Sequence, residues 1–130
     1  MPTHGIDVRD PFQSEMEWFG DNPDIPGMAT EDYMVTLNPF MDLTEQKKKA
    51  IIKNEMARAY MRKYKLRPKF QITPEQHKYF STLRNGKPYG SEQDIMETIV
   101  GRIISGDPSV GQATPEQHIF SSMLGRLLEQ

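Results

Sequence analysis

The sequence predicts a mainly α fold: a small helical domain of about four helices, preceded by a long, extended, Pro-rich and acidic N-terminal arm. Three observations predict it. Prolines at 2, 11, 23, 26 and 39 interrupt the first 43 residues, because each removes a backbone donor and restricts the residue before it. From Leu43 onward the chain changes to helical punctuation, with cap residues, apolar stripes and stop signals in succession. The charge divides along the same line. Residues 1–43 carry nine acids against one base, Arg9, a net of −8; residues 44–70 carry ten bases against Glu45 and Glu55, a net of +8.

In the arm (residues 1–43) the spacing allows one short helix over 13–19 and a brief strand near Tyr33–Leu37. Its composition is not that of a solvated tail. It holds Phe12, Met16, Trp18, Phe19, Tyr33, Val35, Leu37, Phe40 and Met41, which is more apolar material than a disordered linker carries. These residues require a surface, so the arm is expected to dock. Phe12, Trp18, Phe19, Tyr33 and Phe40 are the expected anchors.

The helical domain is expected over 44–130. Thr44 caps a helix over 44–65, stopped before Pro68. Thr73-Pro74-Glu75-Gln76 starts a helix over 73–85, with Thr as cap, Pro in the first turn and Gln reaching back to the cap. Ser91 caps a helix over 91–105, closed by Gly106-Asp107-Pro108. Thr114-Pro115-Glu116-Gln117 starts the last, over 114–128. Ile95, Met96, Ile99, Val100, Ile103 and Ile104 form one apolar stripe. Ile119, Phe120, Met123, Leu124, Leu127 and Leu128 form another, and a helix–helix core follows. The run Thr73–His77 recurs as Thr114–His118, an offset of 41. Convergent capping accounts for it more simply than a duplicated hairpin, and a solenoid needs more copies.

Function classes narrow by elimination. At 130 residues and 15.0 kDa there is room for one core. The hydrophobic share is 36% and the mean hydropathy −0.68, so part of the chain has no core of its own. With no cysteine there is neither a disulfide scaffold nor a thiolate site, which suits a reducing compartment. No apolar run approaches the ~20 residues of a membrane span, and no signal-peptide pattern opens the chain. The expectation is a soluble protein that stays in the cytoplasm or a particle made there.

His4, His77 and His118 stand apart, without carboxylate or histidine partners at i+3 or i+4, so no metal site is expected. There is no Gly-x-Ser-x-Gly, no phosphate-cradling loop and no His-Glu-x-x-His. Glu15 with Glu17, or Glu31 with Asp32, are the only candidate carboxylate pairs for hydrolysis, and nothing in the sequence separates their acidities. No enzymatic activity, cofactor or small-molecule substrate is expected. The loops 84–90, which presents Tyr89, and 107–112 read as helix punctuation.

The basic helix is the strongest remaining candidate. Lys47, Lys48, Arg58, Arg62 and Lys65 share one arc of a helical projection, with only Glu55 among them. That arc can pair with the acidic arm, of the same or a neighbouring subunit, which is the favoured reading. It can also meet nucleic acid phosphates, or face solvent. An acidic pI of about 5.9 counts against nucleic acid.

Thr36-Leu37-Asn38-Pro39-Phe40-Met41-Asp42-Leu43-Thr44, the Thr-Pro-Glu-Gln helix starts, and Glu97-Thr98-Ile99-Val100-Gly101-Arg102-Ile103-Ile104-Ser105-Gly106-Asp107-Pro108 together resemble small virion or assembly proteins of tailed bacteriophages. The likeness is one of general style over residues 36–130. It implies a minor structural component at the head–tail junction, on the tail or on the capsid, in the virion or the host cytoplasm. Its partners would be other protein subunits or further copies of itself. The alternative is a small nucleic-acid-binding protein using the basic helix 47–69.

Overall fold

The computed structural model describes residues 4–81, 91–107 and 113–129. The expected turn over 84–90 with Tyr89, the end of the helix expected to reach 85, and residues 108–112 lie outside them. The fold is mainly helical, with a small two-stranded sheet. The described elements are α1 (Gln13–Asp21), β1 (Gly27–Ala29), β2 (Val35–Leu37), α2 (Glu45–Lys63), α3 (Pro74–Ser81), α4 (Glu92–Ser105) and α5 (Pro115–Leu128).

Local chemistry sets the helix ends. The Thr44 hydroxyl accepts the Lys47 backbone N–H at 3.2 Å, and the Ser91 hydroxyl that of Asp94 at 3.2 Å. Helix α4 ends in a Schellman arrangement: Gly106 adopts the left-handed conformation at φ 77°, while Asp107 N–H reaches the Arg102 carbonyl at 2.8 Å. Glycine serves there because a Cβ would be strained. Past α2, Lys65 turns left-handed at φ 53° and the chain leaves through Pro68, which is buried.

One core holds the molecule together. Ala57, Ala59, Tyr60 and Met61 of α2 pack with Ile95, Ile99 and Val100 of α4, and with Phe120 and Leu124 of α5. Phe70 and Phe80 close it. Helices α2 and α4 form the most extensive pairing. They approach closely at Gly101, where any Cβ would run into the Asn54 side-chain oxygen.

One expectation is corrected here. The first 43 residues are not an extended arm; the fifth described helix, α1, stands where a short helix was expected over 13–19. Ile6 and Val35 are fully buried members of the helical core. Strands β1 and β2 pair antiparallel, Val8 bridges to Val35 in parallel, and both strands rest on α2. Asn38 sews the hairpin to the segment before it, donating from its side-chain amide to the Ile25 carbonyl at 2.9 Å. The physical reason is that Val35 and Thr36 are both fully buried, with Leu37 half-buried, and α2 offered the strand a surface within the same chain. Prolines stop long helices, yet they permit short elements between them.

The start of the described chain also reaches its far end. The His4 imidazole donates to the Leu127 carbonyl at 2.7 Å, and its ring lies edge-on to Tyr60, 5.1 Å between centroids. The Lys63 ammonium donates to the His4 carbonyl.

Candidate functional site

Folding the N-terminal segment back onto α2 leaves an open groove of about 1240 Å³ between α1 and β1 on one side and α2 with the end of α4 on the other. Two ionic clusters form its walls. In the first, Arg9 is the hub. Its guanidinium donates to both oxygens of Glu15, at 2.7 and 2.8 Å, and to Asp32 at 2.8 Å. Glu15 also accepts the Phe12 N–H at 2.8 Å, so the start of α1 is capped by the residue that holds Arg9. The guanidinium stacks on the Phe12 ring, 3.7 Å from its centroid. Hydrogen bonds from Arg9 and then Thr30 hold the Asp32 carboxyl down at about 2, and Arg9 likewise holds Glu15 below its ordinary value.

The second cluster joins α2, α4 and the hairpin. Arg62 donates twice to Glu97, at 3.2 and 3.0 Å. Arg58 donates to the Thr98 hydroxyl at 2.7 Å. Its Nε lies 3.6 Å from Glu55, close enough for attraction but too long for a hydrogen bond. Burial pushes the Glu55 carboxyl up, against the opposing pull of Arg58, Arg62 and the Ala29 backbone N–H. Asn54 Oδ1 and Arg58 Nε are buried without a hydrogen-bond partner among the described residues, and both residues line the groove.

The expected anchors separate in space. Phe12 is 57% exposed at the rim of the groove, and Trp18 lines it half-buried, edge-on to Phe19 at 5.5 Å. Phe19 is fully buried in its own fold and so unavailable to a partner. Tyr33 stands at the hairpin turn with φ 60°, and Phe40 is 61% exposed after β2; neither lines the groove.

The basic arc also divides. Lys47 and Lys65 are exposed, and Lys48 pairs along the helix with Glu45 at 3.4 Å. Arg58 and Arg62 turn toward α4. Among the described residues the ion pairs of α2 run to Glu45, Glu55 and Glu97 rather than to an acid of the N-terminal segment, whose Asp32 and Glu15 are held by Arg9. Helix α4 thus supplies the counter-charge expected from the arm. Glu97 and Thr98 lie within an apolar stripe, and their positions beside Ile99 and Val100 gave no separate signal.

Sequence reasoning also passed over a fully enclosed polar contact. Gln76 and Gln117, the last glutamines of the two Thr-Pro-Glu-Gln runs, are both buried and bonded to each other. The repeated run was the available signal; that the two copies would face one another was not.

Among the described residues no group of three or more His, Asp or Glu is placed to hold a metal ion, and no helix is long and apolar enough to cross a membrane. His77 lies 3.2 Å from Glu92 on the surface. No family model matches this chain, and neither a curated protein nor a solved structure matches it.

Proposed function

We propose that this chain is a non-enzymatic assembly protein whose groove receives a segment of a neighbouring protein subunit. One observation carries the reading. The arginines Arg9, Arg58 and Arg62 that line the groove are each engaged by carboxylates of the same chain, while its rim presents an exposed aromatic ring, Phe12, with Trp18 behind it. Charges spent in this way shape and stiffen a wall. An exposed aromatic beside a concavity is the usual anchor of a protein–protein contact. The setting we propose, from the sequence resemblance, is a minor component of a tailed-bacteriophage virion at the head–tail junction, tail or capsid.

Trp18 is the sole tryptophan, so intrinsic indole emission reports on the groove alone. Occupation by a partner is expected to shift that emission to the blue. Phe12→Glu is expected to leave the helical signal unchanged and to abolish co-assembly, read by light scattering with co-purifying material retained. A Phe12→Glu chain that joins its assembly like the parent would sink the groove reading.

A further inference from the structure

Helix α5 buries Gln117, Phe120, Ser121 and Leu124, and leaves a second stripe facing outward. Glu116, Ile119, Met123 and Arg126 are all exposed, Ile119 to 70% and Met123 to 40%. Their spacing of three, four and three residues puts them on one side of the helix, at the a and d positions of a short heptad seam. An isoleucine this exposed is an unusual place to leave a branched apolar side chain, and a methionine one turn on extends the patch.

We infer that a second copy of this chain docks on α5, with the two α5 helices antiparallel about a two-fold axis. The stripe is its own complement under that operation. Residue numbers facing each other across the axis add to a constant, so Ile119 meets the second copy's Met123, and Glu116 meets its Arg126. Two apolar layers at the centre are then flanked at both ends by opposite charges. Run parallel, the same stripe would set Glu116 against Glu116 and Arg126 against Arg126. The charges thus select the antiparallel arrangement, which also sets the helix dipoles head to tail. Glu116 lies in the first turn of α5 and Arg126 in the last, where each charge already suits the dipole of its own helix. An isologous contact of this kind closes on itself and stops at two.

The surface is separate from the groove, none of whose lining residues belongs to α5. The inference therefore stands apart from the proposed function. One helix face of 14 residues is a small interface, so the dimer is weak and concentration-dependent.

Sedimentation equilibrium of the full chain, from about 10 µM to 1 mM, covers the range in which such contacts form. The parent is expected to pass from monomer to dimer across it. Ile119→Glu is expected to stay monomeric with unchanged helicity, as its side chain is exposed. Glu116→Arg and Arg126→Glu, made singly, set like charges together at both ends and are expected to weaken the dimer at least tenfold. The double exchange restores opposite charges at both ends and is expected to recover most of the loss. A parent that is monomeric throughout overturns the proposal. So does a dimer that survives Ile119→Glu, or a double exchange no tighter than the singles.

Discussion

The side-chain amides of Gln76 and Gln117 hydrogen-bond each other in both directions, at 2.8 and 2.7 Å, while each also closes the cap of its own helix. Gln76 accepts the Thr73 N–H at 3.0 Å and Gln117 that of Thr114 at 3.0 Å; each glutamine's own N–H goes to the threonine hydroxyl in return. Gln117 spends its remaining proton on the Gln71 carbonyl at 3.1 Å. Two capping boxes are thereby fused through one buried amide pair, and the starts of α3 and α5 are fixed to each other.

Gln117→Ala leaves the buried Gln76 side-chain N–H without an acceptor and removes the partners of the part-buried Thr114 N–H and of the Gln71 carbonyl. The expected cost is about 2–4 kcal/mol, chiefly because the buried Gln76 amide is left unpaired and the Gln117 side chain leaves a gap. Gln76→Ala should cost a similar amount. The double variant should cost clearly less than the two together, because the second change removes a group already orphaned. Urea unfolding monitored by circular dichroism measures all three, and simple additivity would show that the pair does not act as a unit.

Removing residues 1–40 is expected to unfold the protein rather than to release an intact helical domain. The truncation strips Ile6 and Val35 from the core and uncovers the face of α2 on which the hairpin rests. Ile6→Ala alone should cost about 2–4 kcal/mol as a large-to-small change at a fully buried site. Thermal melts of the truncated and substituted chains decide the matter, and a cooperative melt for the truncation would contradict the single core.

Acid should act on the Arg9 cluster. The Asp32 carboxyl lies at about 2 in the folded chain against an ordinary value of 3.8, so the unfolded chain takes up the proton first. Its contribution is fully present above about pH 4 and is lost as the pH falls toward 2. Glu15, also held low, adds in the same direction. Glu55 has the opposite sign: burial raises its carboxyl, so folding is favoured at low pH and loses that part as the pH rises through the folded value. Arg9→Gln is expected to flatten the low-pH limb of a plot of Tm against pH. Glu55→Gln is expected to remove the decline on the higher side while keeping an acceptor for the Ala29 N–H.

Gly101→Ala is expected to destabilise by about 1–3 kcal/mol despite alanine's better helix propensity. The new methyl meets the Asn54 side chain where α2 and α4 lie closest. Combining it with Asn54→Ala should recover much of that loss, and chemical denaturation of the single and double variants checks it.

The fold's helical character was legible because its signals are local. Thr44, Ser91 and Thr114 advertise caps, and the apolar stripes of α4 and α5 fix which face turns inward. What escaped was long-range. Prolines marked residues 1–43 as unable to form a long helix, and nothing local could say that Ile6 and Val35 would find α2. Arg58 and Arg62 read as a face for the acidic arm because a helical projection knows only its own helix, whereas Thr98 and Glu97 arrive from α4. The groove was illegible for the same reason: its walls come from separate segments spread between Arg9 and Asp107, brought together only by the core.

The contact between His4 and Leu127 carries a consequence for synthesis. The first described residues complete their place only against the last helix, and Ile6 shares its core with Leu124. A ribosome making this chain cannot release a finished N-terminal piece to fold while the remainder is still being polymerised. Closure must await α5, so the N-terminal segment and the helices are expected to fold as one late, cooperative event, slowed by the long separation of His4 from Leu127.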